Sequence, residues 1–165
     1  MIFVSVGTQL PFERLIRMID SWAAKNENQE IFGQIGQTKY RPKHFEYTKN
    51  LTPKDYRQKI EGCSIIVGHV GMGTIISGIE VNKPLILMPR HQDQGEHRND
   101  HQLATAKHFS KLPLINIIED IKDFDTSVRA IRNDLRNASN AGLNLSPSST
   151  SPNLLKTISN FIIKD

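Results

Sequence analysis

The sequence predicts an α/β fold, a doubly wound and mostly parallel sheet with helices on both faces. Three observations carry this. Short, mostly apolar runs of strand length recur at residues 2–6, 65–67 and 85–88, as expected of parallel strands covered on both sides. Each run opens into a turn marked by glycine or proline. Segments with helical spacing then follow the turns, so strand and helix alternate along the chain.

The elements follow in order. Residues 2–6, rich in β-branched and aromatic side chains, form the first strand, and Gly7-Thr8-Gln9 is its turn. Pro11 suits the first turn of a helix, where its missing N–H costs nothing. Phe12, Leu15, Ile16, Ile19 and Trp22 continue that helix as one apolar stripe. Residues 30–36 and 44–47 are the second and third strands. Thr52 as N-cap and Pro53 at N1 begin a helix over 53–61. The strand at Ile65, a helix from near Gly73, the strand at Leu85 and a helix from near Asn99 come next. Residues 114–118 are a further strand and 125–137 a further helix. Residues 138–152, dominated by Ser, Asn, Pro and Gly, read as a linker. The last segment, 153–165, carries an apolar stripe through Leu154, Leu155, Ile158, Phe161 and Ile162. The organisation expected is thus a domain over 1–137, a linker over 138–152 and a terminal helix.

Composition narrows the function. At 165 residues the chain is one domain in size, able to bury a core. The single cysteine, Cys63, rules out an internal disulfide framework and reads as a buried thiol in a reducing compartment. The net charge of +4 is spread out, without a basic block or interleaved aromatics, which argues against a nucleic-acid surface. No apolar run approaches the roughly 20 residues of a membrane span, and the N-terminus starts directly as a strand. A cytoplasmic location is expected.

The chemistry concentrates in residues 65–102. In Gly68-His69-Val70-Gly71-Met72-Gly73-Thr74 the glycines allow a sharp turn and close approach of a ligand. A helix begins at once, so free N–H groups and the positive end of its dipole face the crevice. A diphosphate suits such a turn; a tight connection that binds nothing is the alternative. The pattern is neither the dinucleotide GxGxxG nor a Walker loop. Gly7-Thr8-Gln9 repeats the strand-to-helix design at the end of the first strand and can face the same crevice. The polar segment from Arg90 to Gln102 follows a buried strand. His97 and His101 have the spacing of a metal pair, but HRNDH lacks the glutamate of HExxH. Sugar hydroxyls fit Asp100, His101 and Gln102 better, and Arg90 suits phosphate or carboxylate. His69 is a candidate base or phosphate contact, or a histidine satisfied by backbone.

Taken together, SVGTQLPFERLI, GHVGMGTI and KPLILMPR…GEHRNDHQLATA resemble the bacterial exopolysaccharide glycosyltransferase subunits of the PssE or EpsF type. These are similar to the catalytic subunit of the split dolichol-pathway N-acetylglucosaminyltransferase, and to the C-terminal half of MurG in glycosyltransferase family 28. The resemblance covers about residues 1–125. It implies a Rossmann-like domain equivalent to the C-terminal half of a GT-B enzyme, binding a UDP-sugar. By that resemblance Gly7, Thr8, Gly71, Met72, Gly73 and Thr74 hold the donor diphosphate. Arg90, Asp100, His101 and Gln102 meet the sugar. The wider family often carries a ribose-binding glutamate seven residues before the proline of the next strand; Ser77 stands there, and Glu80 is the nearest glutamate, so both are ribose candidates. Met72 occupies a place where relatives tend to have a small residue. No metal or other cofactor is implied for the chemistry.

The resemblance further implies a hexosyltransferase that works with a membrane-associated acceptor-domain subunit of the PssD or EpsE type. That partner would recruit the chain to the inner face of the cell membrane and present a lipid-linked saccharide. The related transferases place the catalytic base in the acceptor domain, and His69 is the one catalytic candidate on this chain. The rival expectation is a non-enzymatic UDP-sugar-binding module that activates or regulates a partner transferase.

Overall fold

The structure, a computed structural model, describes residues 1–98, 101–112 and 114–140. Six parallel strands form one sheet: β1 (Ile2–Ser5), β2 (Ile31–Gln34), β3 (Glu46–Thr48), β4 (Ile65–His69), β5 (Leu85–Met88) and β6 (Ile115–Ile117). Their order is β3-β2-β1-β4-β5-β6. The helices are α1 (Glu13–Ala23), α2 (Pro53–Gly62), α3 (Met72–Glu80), α4 (His101–Phe109) and α5 (Ile121–Asn140). The doubly wound parallel sheet expected from the sequence is therefore observed.

Alternation of side chains along each strand divides the core in two. Ile2, Val4, Ile65, Val67, Ile86 and Met88 point to one face, where Leu15, Ile16, Ile19 and Trp22 of α1 and Phe124, Val128 and Ile131 of α5 cover them. Phe3, Ile66, Leu85 and Leu87 point to the other, against Ile60 of α2, Ile75 and Ile79 of α3, and Ala106 and Phe109 of α4. Both faces of the central strands are thus dry, which is why their sequences show mostly apolar runs rather than alternation. Cys63 is buried, its thiol donates to the Ile60 carbonyl at 3.2 Å, and burial pushes it up to about 11.

β1 and β4 are neighbours, paired from Ile2↔Ile65 to Ser5↔Gly68. The chain leaves β1 toward one face and β4 toward the other. The strand order reverses between them, and this switch point opens a crevice at the carboxyl ends of the strands.

Three helix boundaries differ from expectation. Helix α5 begins at Ile121, ahead of Asp125, because Asp120 Oδ1 accepts from the backbone N–H groups of Lys122 and Asp123, at 2.7 and 2.9 Å. It also continues through Asn140, into the first residues read as linker. The remainder of that linker and the terminal segment lie outside the described residues. α1 starts at Glu13 with Phe12 as its N-cap residue, so Pro11 precedes the helix and Thr8 does not cap it. α2 follows expectation, with Thr52 Oγ1 accepting from the Asp55 N–H at 3.2 Å and Pro53 at N1. Among the described residues no helix is long and apolar enough to cross a membrane.

Candidate functional site

A cavity of about 670 Å³ occupies the switch point. Gly7 and Thr8 border it from the β1–α1 turn. Gly71, Met72, Gly73, Thr74 and Ser77 border it from the β4–α3 turn and α3, and His101 and Gln102 from α4. His69 and Arg90 also reach it. Residues from four separate stretches of sequence are thus brought to one place. Asp100 lies outside the described residues.

The two turns are built differently. Gly7 has a positive φ of 75°, which only glycine adopts without strain. Gly71 has an ordinary extended backbone, φ −114°. Its missing side chain matters for another reason: a Cβ there would collide with the His69 ring. A Cβ on Gly7 would lie 2.9 Å from His69 Cε1 as well. The imidazole therefore sits between the two turns, and both glycines make room for it. Gly73, by contrast, has open space where a Cβ would stand.

Helix α3 starts at the cavity with Gly71 as N-cap, and no side chain caps it. Its first N–H groups have no partner within the helix, and the helix dipole adds positive potential at that end. Thr74, in the third helical position, is buried.

His69 is held neutral. Burial, with the nearby Arg90 cation and His97 adding to it, lowers its pKa from the ordinary 6.5 to about 4. The sign follows from proton counting. Between pH 6.5 and 4 the unfolded chain takes up a proton that the folded chain refuses, so this contribution is fully present above pH 6.5 and is lost as pH falls toward 4. The whole window corresponds to on the order of 3 kcal/mol. Thermal denaturation followed from pH 7.5 to 4.5 should show a falling midpoint, and His69→Gln should flatten that fall; equal slopes for the two proteins would contradict it.

Two expected site residues are placed otherwise. Glu80 ends α3 at the far side of the sheet, 3.5 Å from Arg57, and borders a separate cavity of about 530 Å³ together with Cys63, Lys83 and Pro84. Of the two ribose candidates, Ser77 borders the first cavity and Glu80 does not. Arg90 is 2% exposed, and its Nη groups donate to four backbone carbonyls of this chain, those of Val6, Leu10, Pro11 and Glu96. No Nη donor is left over for a sugar carboxylate. Burial lowers its pKa to about 10, with the Glu96 carboxylate pulling the other way, so it stays a cation at neutral pH.

The sequence reading missed one wall. Leu51, just before α2, and Pro53 and Tyr56 at its start border the same cavity, with the Tyr56 hydroxyl beside Ser5 and Thr74. The Thr52-Pro53 helix start after the third strand was the available signal, since it lies at the carboxyl end of the sheet, the end where the crevice opens. Gln34, at the end of β2, also lines it, accepting from Ser5 Oγ at 3.0 Å and donating to the Gly7 carbonyl at 3.0 Å.

Residues 1–145 match the glycosyltransferase family 28 C-terminal domain. The chain belongs to this family. Over 77 residues it is 30% identical to the UDP-N-acetylglucosamine--N-acetylmuramyl-(pentapeptide) pyrophosphoryl-undecaprenol N-acetylglucosamine transferase of Prochlorococcus marinus, covering 44% of this chain and 21% of that protein. Over 68 residues it is 34% identical to the UDP-N-acetylglucosamine transferase subunit ALG13 of Candida albicans, covering 41% and 20%. Among solved structures, the glycotransferase of kitacinnamycin superposes with a TM-score of 0.65 at 18% identity, over 99% of this chain and 42% of that one. The match therefore spans about a fifth of each curated relative. The family 28 domain seen here has the fold of GT-B glycosyltransferases, as the sequence led one to expect, and the expected likeness to MurG and to the split dolichol-pathway subunit holds at this level of identity.

Proposed function

We propose that this family 28 domain binds the UDP-sugar donor of a glycosyl transfer. The observation that carries the reading is the meeting of two strand-to-helix turns from neighbouring strands at one cavity, one of them an uncapped helix start. The diphosphate lies on the Gly7-Thr8 turn and the first turn of α3, where backbone N–H groups and the helix dipole stabilise the departing diphosphate without a metal. Ser77 faces the ribose. The sugar extends toward His101 and Gln102. Both relatives are named for UDP-N-acetylglucosamine, which supports a UDP-linked donor.

The acceptor side is supplied by a second polypeptide, a membrane-associated acceptor-domain subunit of the PssD or EpsE type. That the Candida relative is named a transferase subunit supports this arrangement. The pair adds a hexosyl unit to a lipid-linked saccharide during exopolysaccharide or capsule assembly, at the inner face of the membrane. His69 is a weak base at a pKa of about 4, far from the near-neutral value that suits proton abstraction. That low basicity supports a base on the acceptor side, with His69 in the floor of the donor site.

Two readouts test this together. In a thermal-shift panel of UDP-GlcNAc, UDP-glucose, UDP-galactose and UDP-glucuronate, one sugar should shift the midpoint beyond UDP itself. Turnover on a lipid-linked acceptor should require the partner subunit. Robust turnover by this chain alone would overturn the two-chain reading, and binding without turnover in the partner's presence would favour a regulatory binding module.

A further inference from the structure

Arg90 stands at the end of β5, and its guanidinium carries five N–H donors. Nη2 donates to the Val6 and Leu10 carbonyls, both at 2.8 Å. These carbonyls flank Gly7-Thr8-Gln9, so one amino group closes the turn into an arch. Nη1 donates to the Pro11 and Glu96 carbonyls, both at 3.0 Å. The first extends the hold on the β1–α1 segment, and the second reaches the segment between β5 and α4. The Phe12 ring lies 4.7 Å from Cζ. The Arg90 backbone N–H donates to Gln102 Oε1 of α4 at 3.2 Å. Nε is buried and has no hydrogen-bond partner among the described residues.

Among the described residues, every hydrogen-bond acceptor of the Arg90 guanidinium is a neutral backbone carbonyl. The Glu96 carboxylate is engaged elsewhere, with Arg14 Nε and Nη2 at 2.9 and 2.8 Å and with the His91 N–H at 3.0 Å. Arg14 also donates to the Pro89 carbonyl at 2.7 Å. Two arginines thus tie the β1–α1 and β5–α4 segments together around the cavity. Burying a guanidinium is costly unless its donors are satisfied, and a planar fork is the one side chain that can reach four carbonyls at once.

We propose that Arg90 is a positioning residue for the donor site: its guanidinium clasps the Gly7–Gln9 arch to the β5–α4 segment, and the cavity accepts its ligand only while that clasp is closed. This rests on the donor-site reading above. Arg90 touches no ligand; it fixes the turn that does. Lysine in its place keeps the charge but not the fork, so charge and geometry can be separated.

The test compares wild type, Arg90→Lys and Arg90→Met, with UDP as ligand and calorimetry at a temperature where each protein is folded. Both variants should bind UDP roughly 10- to 100-fold more weakly, the worth of one or two charge-assisted hydrogen bonds. Amide exchange at Thr8, Gln9 and Leu10 should accelerate selectively, while that of β4 stays slow. Full affinity in Arg90→Lys would overturn the clasp in favour of charge alone. Unchanged affinity in both variants, with exchange raised uniformly, would reduce Arg90 to general support of the fold. Should neither variant fold, the wild-type guanidinium decides: the clasp requires resolved, slowly exchanging Nη protons by NMR, and freely rotating Nη groups would contradict it. If wild type does not bind UDP, the donor reading fails by itself, and the exchange data still judge the clasp.

Discussion

Gly73→Asp is expected to leave the domain folded and to abolish nucleotide binding. The two effects have opposite signs for separate reasons. Gly73 is the second residue of α3, and a Cβ there meets no atom within 4 Å, so nothing in the fold resists the side chain. Any residue other than glycine or proline favours the helix by up to about 1 kcal/mol. An aspartate in the first turn adds roughly 0.3–1 kcal/mol through the dipole. The folded state should therefore be unchanged or slightly more stable. The same carboxylate stands where the proposal puts the donor diphosphate. At about 4 Å, two like unit charges near a protein surface repel by about 4 kcal/mol, roughly a thousandfold in affinity. Gly73→Ala is the control, with a methyl group and no charge. Thermal midpoints at or slightly above that of wild type in both variants, with UDP affinity lost only in the aspartate variant, are the expected result. Retained affinity in Gly73→Asp would make the turn a structural connection.

The legibility of this site in the sequence was uneven. Strands β1, β4 and β5 are buried on both faces, so their apolar runs announced them, and the glycine turns behind β1 and β4 were visible as breaks in those runs. The two glycines that flank His69 could be read as a turn, but not their reason. Gly71 has an unremarkable φ and is small because an imidazole two residues earlier folds back over it. Polar residues were harder. Arg90 looked like a ligand contact because it ends a buried strand. Its partners Val6 and Leu10 lie 84 and 80 residues away, and no local pattern could reveal that its donors were taken. Glu80 looked near enough to Ser77 to share a role. Its place at the last turn of α3 instead puts it at the opposite end of the sheet, with Arg57. Tyr56 sits mid-way along the first two turns of α2 with no motif around it, and only the position of that helix start beside the crevice gives it a place in the site. The early start of α5 follows from one capping aspartate, Asp120, which the apolar stripe of that helix does not include.

The measurement that bears most directly on the central claim is UDP binding by the wild-type domain, with ATP and NAD as controls. The cavity is built around a turn that is neither the dinucleotide nor the Walker pattern, and the family and the named relatives point to uridine. A ligand at a hundred times its dissociation constant stabilises the folded state by about 2.7 kcal/mol. For a domain of this size each kcal/mol moves the midpoint by roughly 2–4 °C. Saturating UDP should accordingly raise the thermal midpoint by about 5–10 °C, with one site per chain by calorimetry, while ATP and NAD at equal concentration leave it in place. No shift with any uridine nucleotide, or an equal shift with all three ligands, would contradict a UDP-sugar donor site at the β1–β4 switch point.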